Sequence, residues 1–162
     1  MFATTLFSTR GLGLSLPDRF RVKQISAAKR GIAPDSLLGR LVHFATVLTQ
    51  VGEEWLVDKI DETVQTTADY IGWGTGAGTA AKGDTALFTE AAESRVLATR
   101  SQVLADKVRW VGTLTSASGQ TITNAGNFTA SSGGTLVVHG DFTGVALSTG
   151  DQIQFTIDLE IT

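Results

Sequence analysis

The C-terminal residues alternate strictly. Ile153, Phe155, Ile157, Leu159 and Ile161 are apolar, and Gln152, Gln154, Thr156, Asp158 and Glu160 between them are polar. A period of two held this long predicts a β-strand with one face in a core and one in water. Gly133-Gly134 and Gly150-Asp151 supply turns before the last two strands. Arg95 to Thr115 is rich in β-branched residues, and as a strand it places Leu104, Val108, Trp110 and Leu114 largely on one face. Trp55-Leu56-Val57 and Asp69-Tyr70-Ile71 are shorter strand candidates bounded by polar or glycine segments. Before them the pattern is ambiguous. Pro34-Asp35-Ser36 reads as a helix entry, and Leu37, Leu41, Phe44 and Leu48 fall at helical spacing. Val42, Phe44, Thr46 and Leu48 also fit a strand, and Gly39 weakens a helix; the expectation is a short helix. Strands with turns at roughly ten-residue spacing predict a mainly β protein, an antiparallel β-sandwich that is jelly-roll-like, with one or two short helices.

One block breaks the strand pattern. Between Asp69 and Arg95, Gly72, Gly74, Gly76 and Gly78 alternate with other residues. A dinucleotide loop needs G-x-G-x-x-G, but Thr79 stands at the third glycine position. A phosphate loop of the G-x-x-x-x-G-K type needs a lysine where this chain has Asp84, whose carboxylate repels phosphate. Spacing thus favours small residues that permit close backbone approach over a nucleotide site.

Composition narrows the function classes. At 162 residues the chain suits one domain with an appended arm. The absence of cysteine excludes disulfides and thiolate metal sites. Two histidines, His43 and His139, leave little for a transition-metal site, and no cofactor is expected. No basic leader precedes an apolar core near the start, so a secretory signal is not expected. No apolar run approaches the roughly 20 residues of a membrane helix. Charge is uneven: residues 1–40 carry +5 and residues 41–162 carry −8, which together make the net −3. Glycine and proline punctuate the N-terminal part, so residues 1–34 are expected to form an extended basic arm ordered by a partner, ahead of a sandwich domain at 35–162. The candidate partner-binding residues are Arg10, Arg19, Phe20, Arg21, Lys23, Lys29 and Arg30. No aromatic-interleaved basic patch points to nucleic acid. Deleting residues 1–33 is expected to spare the fold and abolish attachment.

Catalytic patterns do not emerge. There is no G-x-S-x-G, H-E-x-x-H or EF-hand loop. His139 lies near Asp141 in sequence, but a solvent-facing histidine on a strand is the favoured expectation, and His43 is expected to be packed. Glu53-Glu54, Asp61-Glu62 and Glu90 with Glu93 read as solvated carboxylates rather than an acid–base pair. Asn127-Phe128-Thr129 matches a glycosylation acceptor, which carries little weight without a secretory signal.

Several fragments, in order, resemble tailed-bacteriophage virion structural proteins. They are Ile71-Gly72-Trp73-Gly74-Thr75-Gly76, Gly83-Asp84-Thr85-Ala86-Leu87, Glu90 and Arg95, then Ile122-Thr123-Asn124-Ala125-Gly126-Asn127-Phe128. Gly133-Gly134-Thr135-Leu136, Phe142, Leu147 and Gly150-Asp151-Gln152-Ile153-Gln154-Phe155-Thr156 complete the set, which spans about residues 70–162. Two positions depart from the family pattern: Asn124 replaces a glutamate and Asn127 a leucine. The resemblance implies a non-enzymatic capsid decoration (cement) protein on the virion surface. It would be made in the host bacterial cytoplasm, self-associate as a trimer, and bind and stabilise the major capsid protein lattice through its arm. A tail, collar or head-fibre subunit is the alternative. A carbohydrate-binding module stacking sugars on Trp55, Trp73 and Trp110 is a second one, although Trp73 and Trp110 sit in core-patterned segments.

Overall fold

The computed structural model describes residues 19–25, 41–64 and 66–161, with side chains described from Thr46 onward. Strands β1 (Arg19–Ile25) and β2 (Leu41–Leu48) precede helix α1 (Gln50–Ile60). Strands β3 (Tyr70–Gly74), β4 (Val96–Leu97), β5 (Thr99–Leu104), β6 (Lys107–Thr115), β7 (Gln120–Phe128), β8 (Leu136–Leu147) and β9 (Gln152–Glu160) follow. All pair antiparallel, in the order β4-β3-β7-β8-β2-β1-β9-β6-β5.

Two corners fold this run into a sandwich. The first half of β2 pairs with β1 and its last three residues pair with β8. Only Ala98 separates β4, which pairs with β3, from β5, which pairs with β6. Segments that leave one sheet and join the other are the usual way a sandwich turns its corners. The layer β4-β3-β7-β8 therefore faces β1-β9-β6-β5. Between them Trp73 meets Phe155 edge-on at 6.3 Å, and Phe142 approaches the same ring at 6.3 Å. Ile71, Trp110, Leu114 and Ile122 fill the space around these rings and are buried.

The alternation of β9 is realised on its inner face, where Ile153, Phe155, Ile157 and Leu159 are buried. The other face departs from expectation, because Asp158 is only 3 % exposed. As β9 lies between β1 and β6, Arg109 of β6 reaches across and binds Asp158 through two 2.6 Å hydrogen bonds. That bond, with the Asp158 charge behind it, raises the Arg109 guanidinium above its already high range against the pull of desolvation. The expected turns are present: Gly133, Gly134 and Gly150 all have positive φ.

Two local expectations are corrected, and part of a third stretch is placed. Leu41–Leu48 is strand β2, not a helix, and the helix is the next segment, which contains the supposed strand Trp55-Leu56-Val57. Val42, Thr46 and Val47 suit a strand with neighbours on both edges, and tertiary pairing outweighs the helical spacing. The helix begins where Thr49 accepts a hydrogen bond from the Gly52 N–H, with Glu53 in its first turn and Lys59 in its last. Thr49 also donates to the Leu136 carbonyl, tying the cap to β8. Gly52 lets the helix press onto β8, because a Cβ there would overlap the Val137 carbonyl oxygen. Next, Arg95–Thr115 is not one strand: a tight reversal at Ala105-Asp106 separates β5 from β6, and Leu104 is exposed. Finally, the stretch expected to be an arm contains β1, whose backbone pairs with β2 and β9 inside the sheet. Arg19, Phe20, Arg21 and Lys23 belong to that strand, while Arg10, Lys29 and Arg30 lie outside the described residues. The backbone of His43 is in β2, and its side chain is outside the description. Among the described residues, no helix is long and apolar enough to cross a membrane.

Candidate functional site at the glycine block

The glycine block lies on the outer face of the β3-β7-β8 layer. Alternation along β3 points Ile71 and Trp73 into the sandwich and leaves Gly72 and Gly74 on the outside. A Cβ on Gly74 would stand 2.6 Å from the Phe88 carbonyl oxygen and 2.7 Å from Asn124 Oδ1. On β7, a Cβ on Gly126 would meet a Leu136 methyl at 2.5 Å and the Val138 carbonyl at 2.8 Å. Glycine at these positions lets the chain from Thr75 to Arg95 pack directly against the sheet backbone. Thr75 and Gly76 donate their N–H groups to the Thr89 and Phe88 carbonyls, and Ala91 donates to Trp73. Leu87, Phe128 and Leu136 then form a small second core under the block, flanked by Tyr70. Thr89 is held at φ 48°, a left-handed conformation that disfavours a β-branched residue, and it is flanked by the bonds from Thr75 to its own carbonyl and from Gly76 to the Phe88 carbonyl.

A polar seam fastens the middle of the block. Asn124 is fully buried: its Nδ2 donates to the Phe88 and Gly76 carbonyls, and its Oδ1 accepts from the Phe88 N–H. This pattern fixes which end of the amide faces which way. His139 is equally buried, with Nδ1 2.7 Å from Asp84 Oδ2 and Nε2 3.4 Å from Asn124 Oδ1. Asp84 Oδ2 also accepts from the Ala81 N–H, and Asp141 Oδ1 accepts from Ala80. The expectation of a solvent-facing His139 is therefore overturned. β8 turns that side chain under the block, and its carboxylate partner is Asp84, 55 residues away, not Asp141.

Two more clusters hold the end of the block. Arg95 makes a bidentate pair with Glu90 at 2.6 and 2.9 Å and donates to the Ala130 and Gly133 carbonyls. Its guanidinium lies 3.4 Å above the Phe128 ring, a cation–π arrangement. Glu93 accepts hydrogen bonds from Trp73 Nε1, the Ala117 N–H and Gln120 Nε2. Burial is the largest single influence on Glu93 and opposes ionisation. The hydrogen bonds from Ala117, its own backbone, Trp73 and Gln120 together outweigh it and hold the carboxyl below its usual range. A lowered folded value means the unfolded chain takes up the proton first as pH falls. The Glu93 contribution is thus complete above the ordinary value of 4.5 and is lost as pH drops through the lowered one. Glu93→Gln is expected to flatten the acid side of a melting-temperature profile taken from neutral to about pH 3. A variant with the wild-type acid slope would show that the cluster carries no linkage.

Glu90, Glu93, Ser94, Arg95, Ser131, Ser132 and Gly133 line an open depression of about 280 Å³. Its cation, Arg95, is paired with Glu90, and its deeper carboxylate, Glu93, is hydrogen-bonded. Glu53 likewise pairs with Lys82 at 2.7 Å. Among the described residues, no three His, Asp or Glu side chains converge as metal ligands do. Asn127 is fully buried and donates to the Ala68 carbonyl, so it is closed to glycosylation in the folded chain. Among the described residues, its Oδ1 and the Thr46 hydroxyl have no hydrogen-bond partner. Both positions that depart from the resembled family pattern, Asn124 and Asn127, are thus interior.

No family model, curated protein or solved structure matches this chain. The reading of the site therefore rests on its own geometry. The seam linking Asp84, Asn124 and His139 had no sequence signature, because its members are 15 to 55 residues apart and in three different segments.

Proposed function

We propose that this chain is a non-enzymatic structural protein of a tailed-phage particle, a capsid decoration protein that binds and stabilises the major capsid protein lattice and associates with copies of itself. The observation that carries this reading is the glycine block lying flat on the sheet as a third layer. Its ionisable side chains hold the layer down, and its glycines serve backbone packing, which suits a rigid particle component better than a ligand loop. The ordered fragments from Ile71 to Thr156 that resemble virion proteins supply the particle. A sugar-stacking platform is disfavoured, because Trp73 and Trp110 are both buried and their indole N–H groups bind Glu93 and Asp69. Repeated weak contacts on a lattice would give firm attachment through multivalency.

The test is the amount of the protein in purified virions of the phage that encodes it, together with the heat resistance of particles lacking it. A copy number that scales with the capsid subunits, and heads that rupture at lower temperature without it, are the expected results. A handful of copies at one vertex would instead point to a tail or collar subunit.

A further inference from the structure

We propose that β5 pairs edge to edge with the β5 of a second copy of this chain, joining two sandwiches about a two-fold axis. The contact gives a form to the self-association in the reading above, and rests on that reading only for the claim that copies meet. On one side β5 pairs with β6. On the other side its strand parts from β3 at the corner, where Ala98 gives its N–H to the Asp69 carbonyl. Backbone groups of successive residues point to alternate edges of a strand. Those of Arg100 and Gln102 therefore point the same way as those of Ala98, to an edge that no strand covers among the described residues. All six residues of β5 are exposed. Leu104 is 54 % exposed, and Leu97, just before the corner, 70 %. Lysine and proline, which keep natural edges from pairing, are absent from Thr99–Leu104, and the bulge in the strand lies past Gln102.

The pattern of this edge fits its own copy. Antiparallel pairing about an axis at Ser101 sets Arg100 opposite the partner's Gln102, and Gln102 opposite the partner's Arg100. In each pair both residues offer an outward N–H and an outward C=O, so bonds are exchanged in both directions. Ser101 then meets the partner's Ser101 as the close pair without hydrogen bonds, with Cα atoms about 4.5 Å apart. The bulge limits the regular stretch, and an axis at Ser101 uses all of it. Arg100 is the charged residue of the strand, and it faces a glutamine rather than its own copy. Its guanidinium is already held by Asp69 at 3.0 Å, so pairing strands no charge. At each end the register brings Leu104 beside the partner's Ala98 corner and its exposed Leu97. One sheet then runs through both copies, and the isologous contact closes at two, not at the three that the family resemblance implies.

The chain has no cysteine, so a single introduced one reports cleanly. In the full-length protein Ser101→Cys places two thiols at a separation that a disulfide spans, and mild oxidation is expected to give a cross-linked dimer. Ser131→Cys, in an exposed loop, measures collisional cross-linking and is expected to react far more slowly. Ser101→Lys sets two ammonium groups face to face across the axis, and Gln102→Pro removes an outward N–H from each copy. Each is expected to weaken dimerisation about tenfold or more in sedimentation analysis. Circular dichroism with a melting curve checks that the variants fold, and Ser101→Lys, at an exposed site, keeps the test if the proline disturbs β5. Equal cross-linking of the two cysteine variants, wild-type dimerisation in Ser101→Lys, or assembly only as trimers overturns the proposal. A wild-type chain that stays monomeric yet binds capsids overturns this contact and leaves the decoration reading standing. A chain that cross-links at Ser101→Cys but does not bind capsids supports the contact and removes the decoration reading.

Discussion

A chain lacking residues 1–25 is expected to lose its cooperative fold. The backbone of β1 pairs with β2 at five positions and with β9 at seven. Removing it leaves β2 and β9 two strand spacings apart, about 10 Å, beside the corner where the two layers join. The unpaired edges of β2 and β9 then expose a row of N–H and C=O groups, and water reaches the inner face that carries Ile153, Phe155 and Ile157. The expected measurements are loss of the near-ultraviolet dichroism of the buried tryptophans and of a single sharp urea transition. A truncated chain with the wild-type midpoint and slope would show that β1 adds nothing to the sheet. A shorter truncation, ending before Arg19, keeps every described strand and serves as the control.

The second large effect is expected from Gly74→Ala. The new methyl group would overlap the Phe88 carbonyl oxygen and both polar atoms of the Asn124 amide. Overpacking of this kind typically costs about 1–3 kcal/mol. Displacing Asn124 also leaves the Phe88 N–H without its acceptor, at about 1–3 kcal/mol for an unsatisfied group. Relaxation shares these costs, and the net expectation is about 3 kcal/mol or more, measured as a lower urea midpoint. Because the block is a separate layer, proteolysis between Thr75 and Arg95 should accelerate more than global unfolding does. Gly83→Ala is the matched control, since nothing lies within 4 Å of a Cβ there. Equal stability of the two variants would remove close packing as the reason for the alternating glycines.

The function of the glycine block was partly legible. Asp84 and Thr79 at the wrong positions argued against a phosphate loop, and the alternating glycines argued for close backbone approach; the contacts at Gly74 and Gly126 bear that out. The surface that uses those glycines was not legible, because Phe88 and Asn124 are 36 residues apart. His139 shows the same limit in sharper form. A histidine in a strand reads as solvent-facing until a loop from elsewhere in the chain is laid over it.

Local periodicity, turn chemistry and side-chain size are written along the chain. They determined the mainly β antiparallel sandwich, the inner face of β9, the turns at Gly133-Gly134 and Gly150, and the burial of Trp73 and Trp110. Long-range pairing is not. Tertiary structure decided that Leu41–Leu48 is a corner strand followed by a helix, that Arg19–Ile25 lies within the sheet, and that Asp158 is an interior ion-pair partner. The physical reason is common to all three. A short segment compatible with two conformations takes the one that satisfies its backbone hydrogen bonds and buries its apolar face, and both depend on neighbours remote in sequence.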